Sequence, residues 1–152
     1  MKTVDLPAII CQSYHHWTGR HLVASPELTG RDLERALYAL DQVVVAHDTR
    51  DDPVFMYANR AALDLFEMTL EDFTRLPSRF SAEPMARAER EALLREVREN
   101  GFTDAYSGVR VSSTGKRFFI EKATVWNLLD AGGAPCGQAA TFPVPQRTCG
   151  ED

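Results

Sequence analysis

The run from Val43 to Phe66, VVVAHDTRDDPVFMYANRAALDLF, most constrains what this chain can fold into. Val43, Val44, Val45 and Ala46 are β-branched or small, which favours a buried strand ending at His47 and Asp48. Asp51, Asp52 and Pro53 then reverse the chain, because short carboxylates bond their own backbone and proline fixes φ. Val54, Phe55, Met56 and Tyr57 make the return strand. Asn59 stands where an N-cap belongs, its side-chain oxygen placed to accept from the first helical turn. In the helix that follows, Ala62, Leu63 and Phe66 share one face, so the helix is predicted to fold back onto the hairpin.

Upstream, a helix is predicted over Leu6–Val23, with Pro7 suited to its first turn and Leu6, Ile10, Tyr14, Trp17 and His21 on one stripe. Ser25-Pro26 breaks the chain. Thr29 is expected to cap a second helix, with Asp32 returning the bond and Leu33, Ala36, Leu37 and Leu40 forming its apolar face. Downstream, Thr69-Leu70-Glu71-Asp72 has capping-box spacing, and Pro77 makes Leu76–Ser81 a loop. Pro84 opens the longest helix, which Gly101 stops; Met85, Ala88, Ala92, Leu93 and Val97 are its expected buried face. Arg87, Glu91, Arg95 and Glu99 alternate in sign on the other side, as on a solvated, self-paired face. Three strands finish the chain. Thr103–Ser112 alternates, with Ala105, Ser107, Val109 and Val111 on one side and Tyr106, Arg110 and Ser112 on the other. Arg117–Leu129 and Pro135–Phe142 follow, each after a Gly-containing turn. Two strands, helices and three strands make an α+β layout: a helical extension over 1–41, a core over 42–143 and a flexible tail over 144–152.

The chain has 152 residues, 44% hydrophobic and 26% charged, enough for a single soluble domain with a core. A net charge of −5 argues against a dispersed nucleic-acid footprint. No apolar run approaches the roughly 20 residues that span a bilayer, and the N-terminus lacks a signal-peptide core. The odd set Cys11, Cys136 and Cys149 fits a reducing, cytoplasmic setting. The sequence lacks a phosphate-binding loop, a dinucleotide turn, an HExxH, a CxxC and a GxSxG. Cys11 and His15 are four apart on a helix, spacing compatible with a metal pair or with a buried thiol beside a half-exposed imidazole. His47-Asp48 reads either as a dyad or as a hydrogen-bonded strand end.

Tyr57-Ala58-Asn59 followed by Ala61-Ala62-Leu63, with a Thr-initiated turn at Thr69, resembles the opening of a PAS domain. ANRAALDLFEMT (58–69), LPSRFSAEP (76–84), ATVWNLLD (123–130) and GQAATF (137–142) resemble more closely the MEKHLA family, a PAS-related group, here of the bacterial stand-alone type. The resemblance implies a five-stranded antiparallel sheet in the order 2-1-5-4-3, with helices on one face. It also implies a two-helix N-terminal extension that covers the sheet or builds a homodimer or partner interface. A kinase, cyclase or DNA-binding helix pair does not fit in the remaining residues, so a signal is expected to leave by protein contact. In plants the resemblance extends to the C-terminal regions of homeodomain-leucine zipper transcription factors.

A non-enzymatic sensory or regulatory role follows by analogy, with a small ligand in the core, a protein partner, or both. The cofactor is left open. No His lies between Asn59 and Gly101 to ligate haem as in haem-binding PAS domains, and Ser78 precedes Arg79-Phe80 where flavin photosensors carry a reactive Cys. Non-covalent flavin binding stays open. The expected pocket is lined by Tyr57, Phe66, Phe80, Met85, Leu93 and Trp126, with Asn59, Asn127 and Gln138 as polar candidates. Arg79 is either a clamp for a carboxylate or phosphate or a surface ion pair with Glu83. The alternative is a small α+β enzyme of the ketosteroid-isomerase type using Asp64, Asp104 or Glu121 as a pocket carboxylate.

Overall fold

The computed structural model describes residues 5–50, 52–81 and 84–145. Five strands, β1 (Val43–His47), β2 (Phe55–Ala58), β3 (Phe102–Val111), β4 (Arg117–Leu129) and β5 (Pro135–Phe142), form one sheet. Its order is β2-β1-β5-β4-β3 with every neighbour antiparallel, the order expected from the resemblance. The first and last strands in sequence become neighbours because Val43–His47 pairs with Gln138–Phe142. The return strand starts one residue later than predicted. Val54 instead makes an isolated bridge to Pro77, its amide held by the Asp48 carboxylate at 3.1 Å.

Two helical layers sandwich the sheet. On the inner face lie α3 (Arg60–Phe66), α4 (Leu70–Phe73), a 3-10 turn at Ser78–Ser81 and α5 (Pro84–Asn100). Phe55, Phe66, Phe73 and Phe118 pack there, with centroid distances of 4.1 Å for Phe55–Phe73 and 5.2 Å for Phe66–Phe118. On the outer face lie α1 (Leu6–Thr18) and α2 (Gly30–Tyr38), which bury Ile10, Tyr14, Leu33 and Leu37 against Val44, Ala46, Trp126 and Leu128. Burying side chains of this size stabilises by about 1.5–3 kcal/mol each, so each face of the sheet carries a hydrophobic core of its own.

Local chemistry explains most element ends. Asp5 caps α1 through Ala8 N at 3.3 Å. The helix stops at Thr18, short of the expected Val23, because Gly19 adopts φ 73 and its amide bonds back to His15. Thr29 precedes α2 without a side-chain cap, so the expected capping box is absent. Thr69 and Asn59 do cap, through Asp72 N and Ala62 N. The expected apolar face of α5 is only partly buried: Val97 is enclosed and Leu93 half-buried, while Ala88 and Ala92 are exposed. That helix meets β3 and β4, and the Val97 carbonyl near its end accepts from the Asn127 side chain at 2.9 Å.

One irregularity decides which side chains face which layer. Lys122 in β4 adopts φ 52, a left-handed conformation that shifts the alternation by one residue. Before it, Phe118 and Ile120 face inward; after it, Ala123, Val125 and Asn127 do. Trp126 and Leu128 are thereby turned outward under α1.

Candidate functional site

Between the inner sheet face, α3, α5 and the 3-10 turn lies a cavity of about 60 Å³. Its wall is mostly apolar, including Val45, Phe55, Phe66, Leu93, Ile120 and Val125, with Ser78, Ser81, His47, Gln138 and Arg110 as polar members. His47 and Gln138 also line a groove on the outside of the molecule, beside Arg95, Arg98 and the Asp48–Pro53 turn, and so stand between cavity and solvent.

The candidate residues do not gather in one place. Phe66 and Gln138 line the cavity. Asn127 lies just behind Gln138: its Oδ1 accepts from Gln138 Nε2 at 3.1 Å, and its Nδ2 donates to Val97 O at 2.9 Å. Tyr57 and Trp126, expected in the pocket, belong to the opposite layer with α1 and α2, which is a correction to the sequence reading. Trp126 is fully buried edge-on to Tyr14 at 4.9 Å, and α1 also sends Trp17 Nε1 to the Asn127 carbonyl at 2.9 Å. Asn59 is buried but structural: it caps α3, accepts from Val44 N at 3.0 Å and donates to Gln42 O at 2.8 Å. Phe80 is 41% exposed and is not part of the cavity wall. The side chains of Arg79 and Met85 lie outside the described residues.

Sequence reasoning passed over Arg110. Cross-strand pairing with Phe118 puts it on the inner face, and the residue is 8% exposed. Tyr106 lies along the strand over Gly108, where an added Cβ would come within 2.4 Å of the tyrosine oxygen, and its ring meets the Arg110 guanidinium at 5.1 Å. The available signal was the alternation of β3, which had already grouped Tyr106, Arg110 and Ser112 on one side.

Several chemistries lose their geometry. Asp64, Asp104 and Glu121 are all exposed and away from the cavity, so none can be the pocket carboxylate of an isomerase. The His47 ring meets the Asp48 backbone carbonyl at 2.9 Å, while the Asp48 carboxylate holds the hairpin turn and pairs with Arg50 at 3.0 Å. His15 stacks on His21 at 4.4 Å, and among the described residues no three His, Cys, Asp or Glu side chains gather. Burial, with Asp5 adding, pushes the Cys11 thiol up to about 11; burial, with Cys11 the next cause, pushes the Tyr57 phenol well above its ordinary value. Neither is a nucleophile at neutral pH. The cavity holds roughly four to six water-sized volumes. No helix among the described residues is long and apolar enough to cross a membrane.

Known proteins agree with this architecture. A PAS domain from Colwellia psychrerythraea superposes with a TM-score of 0.62 at 12% identity, covering 77% of this chain and 98% of that one. A light-oxygen-voltage domain structure from work on a flavin analogue gives a TM-score of 0.60 at 21% identity, covering 80% and 87%. At those identities the likeness concerns the fold alone. Among curated relatives, homeobox-leucine zipper protein HOX29 of Oryza sativa subsp. indica is 30% identical over 139 residues, which is 89% of this chain but 16% of the relative. Homeobox-leucine zipper protein REVOLUTA of Arabidopsis thaliana is 28% identical over 131 residues, 86% of this chain and again 16% of the relative. The MEKHLA domain model matches residues 4–144. With that match over nearly its whole length and a PAS-like sheet beneath it, the chain belongs to the MEKHLA domain family.

Proposed function

We propose that this domain is a non-catalytic sensory module that takes a small molecule into its inner cavity and reports occupancy to a protein partner through α1. The carrying observation is Asn127, which joins three layers. Its side chain meets the cavity-lining Gln138 and the end of α5, while its backbone carbonyl takes the Trp17 indole of α1. A ligand that displaces Gln138 therefore acts on a residue that also holds the outer helix, the kind of shared element through which two sites bias each other. The apolar stripe of α1 is buried against the sheet, so a partner or a second copy would use the outward face of α1 and α2. The exposure of Asp64, Asp104 and Glu121 favours this reading over an isomerase. Free Cys11 and Cys136 are consistent with a reducing, cytoplasmic setting.

Native mass spectrometry and an absorption spectrum of freshly purified protein test the ligand, and hydrogen exchange tests the output. A retained small mass, or a metabolite that raises the melting temperature, should slow exchange in α1 as well as around the cavity. Ligand protection confined to the inner layer would remove α1 from the mechanism. A protein that retains nothing and is stabilised by no metabolite in a broad panel would remove the sensor.

A further inference from the structure

The Arg110 guanidinium has five N–H donors and a charge that proteins do not neutralise. Two contacts account for it among the described residues. One nitrogen donates to the neighbouring Val109 carbonyl at 3.1 Å, and the face of the group lies 5.1 Å from the Tyr106 ring centroid. No described carboxylate reaches it, although the residue is 92% buried by its 8% exposure. A buried cation of this kind is costly unless an anion and further hydrogen bonds compensate it. On β4, Arg117 and Lys122 are exposed, as is Lys116 in the turn before it, where it pairs with Glu67 at 3.3 Å. Among the described residues Arg110 is the one Lys or Arg side chain that lines the cavity, and Gly108 clears the space that lets Tyr106 brace it there.

We propose that the inner cavity binds a short-chain organic carboxylate, with Arg110 as its counter-ion. This rests on the ligand-binding reading of the cavity and names the class of ligand. The guanidinium offers a fork matched to a planar carboxylate. The part of the wall around Phe66, Ile120 and Val125 is apolar and suits a hydrocarbon tail. Room for roughly four to six water-sized volumes sets the whole molecule at about four to six non-hydrogen atoms. Inorganic anions lack the tail, and long fatty acids exceed the space.

The test titrates isotope-labelled protein by NMR, in a buffer free of carboxylates, with butyrate, its neutral isostere butyramide, and inorganic phosphate. Butyrate should bind at least ten-fold more tightly than butyramide and phosphate, with the largest shifts at Arg110, Ser78 and Ile120. Arg110→Met should abolish the preference for butyrate while admitting butyramide at least as well. Without ligand that variant should melt no lower than the parent, since it removes an uncompensated charge. Equal binding of butyrate and butyramide would overturn the role of Arg110 and leave the cavity as a ligand site. Phosphate binding as well as butyrate would overturn the tailed carboxylate. Failure of both organic probes to bind either protein would overturn the cavity as well. If Arg110→Met is unfolded, the more polar Arg110→Gln replaces it; a large loss of stability in both would show that the guanidinium is already compensated and end the proposal.

Discussion

Replacing Asn127 by Ala tests the junction on which signal output is proposed to depend. The substitution removes the Nδ2 bond to Val97 O at 2.9 Å, a weaker contact to Arg98 O at 3.4 Å, and the bond from Gln138 Nε2 at 3.1 Å. Two well-formed bonds contribute about 1 kcal/mol each. The Val97 carbonyl keeps Gly101 N at 2.7 Å, so it is not orphaned. A small hole adds about 0.5–1 kcal/mol. The expected loss is therefore about 2.5–3 kcal/mol. With a urea slope near 2 kcal/mol per molar, the denaturation midpoint should fall by about 1–1.5 M. Hydrogen exchange should quicken at Gly101 and Asn127, whose backbones are bonded to each other at 2.9 Å. A double-mutant cycle with Gln138→Ala should return a coupling of about 1 kcal/mol. A midpoint change below about 0.3 M, or a coupling near zero, would mean that α5, Gln138 and β4 are not joined through this side chain.

Three further outcomes follow from the packing and the titrating groups. Gly101→Ala should destabilise by at least about 2 kcal/mol and undock α1, because Gly101 adopts φ 99 and an added Cβ would lie 2.4 Å from the Trp17 ring; unchanged tryptophan fluorescence and melting would refute it. Glu67 is held below its ordinary value chiefly by hydrogen bonds from Thr114 and Ser112, with Lys116 assisting. A lowered folded value contributes stability above the unfolded value near about 4.3 and loses it as pH falls through the folded one. Melting curves of the parent and Glu67→Gln should therefore converge on acidification below about pH 4, and parallel curves would contradict the stabilising role of the Thr114 and Ser112 hydrogen bonds to Glu67. Cys11, pushed up to about 11, should be alkylated at pH 8 roughly two-hundred-fold more slowly than an ordinary exposed thiol, read site by site by mass spectrometry. A rate near that of an unperturbed thiol would refute its burial.

Much of the frame was written locally. The Val43–Phe66 run specifies a hairpin capped into a helix because β-branched residues, turn formers and an N-cap residue occur in that order, and all three act over a few residues. Phe66 and Gln138 line the inner cavity. What local pattern could not carry was facing. α5 has an apolar stripe, yet Ala88 and Ala92 are exposed, because burial depends on where the sheet lies rather than on helical spacing. Asn59 was a pocket candidate, and its four hydrogen bonds to the chain around it leave it no part in the cavity.

By itself the sequence determined the strand and helix inventory, the family resemblance and the presence of an apolar interior. Only the tertiary structure decided which side chains enter that interior. The left-handed turn of Lys122 shifts β4 by one position, sending Trp126 beneath α1 and Asn127 toward the inner layer. The pairing of β3 with β4 likewise puts Arg110 opposite Phe118 inside the molecule. The physical reason is the period of two in a strand: a single extra residue reverses every side chain beyond it, and the bulge is stabilised by packing between segments distant in sequence.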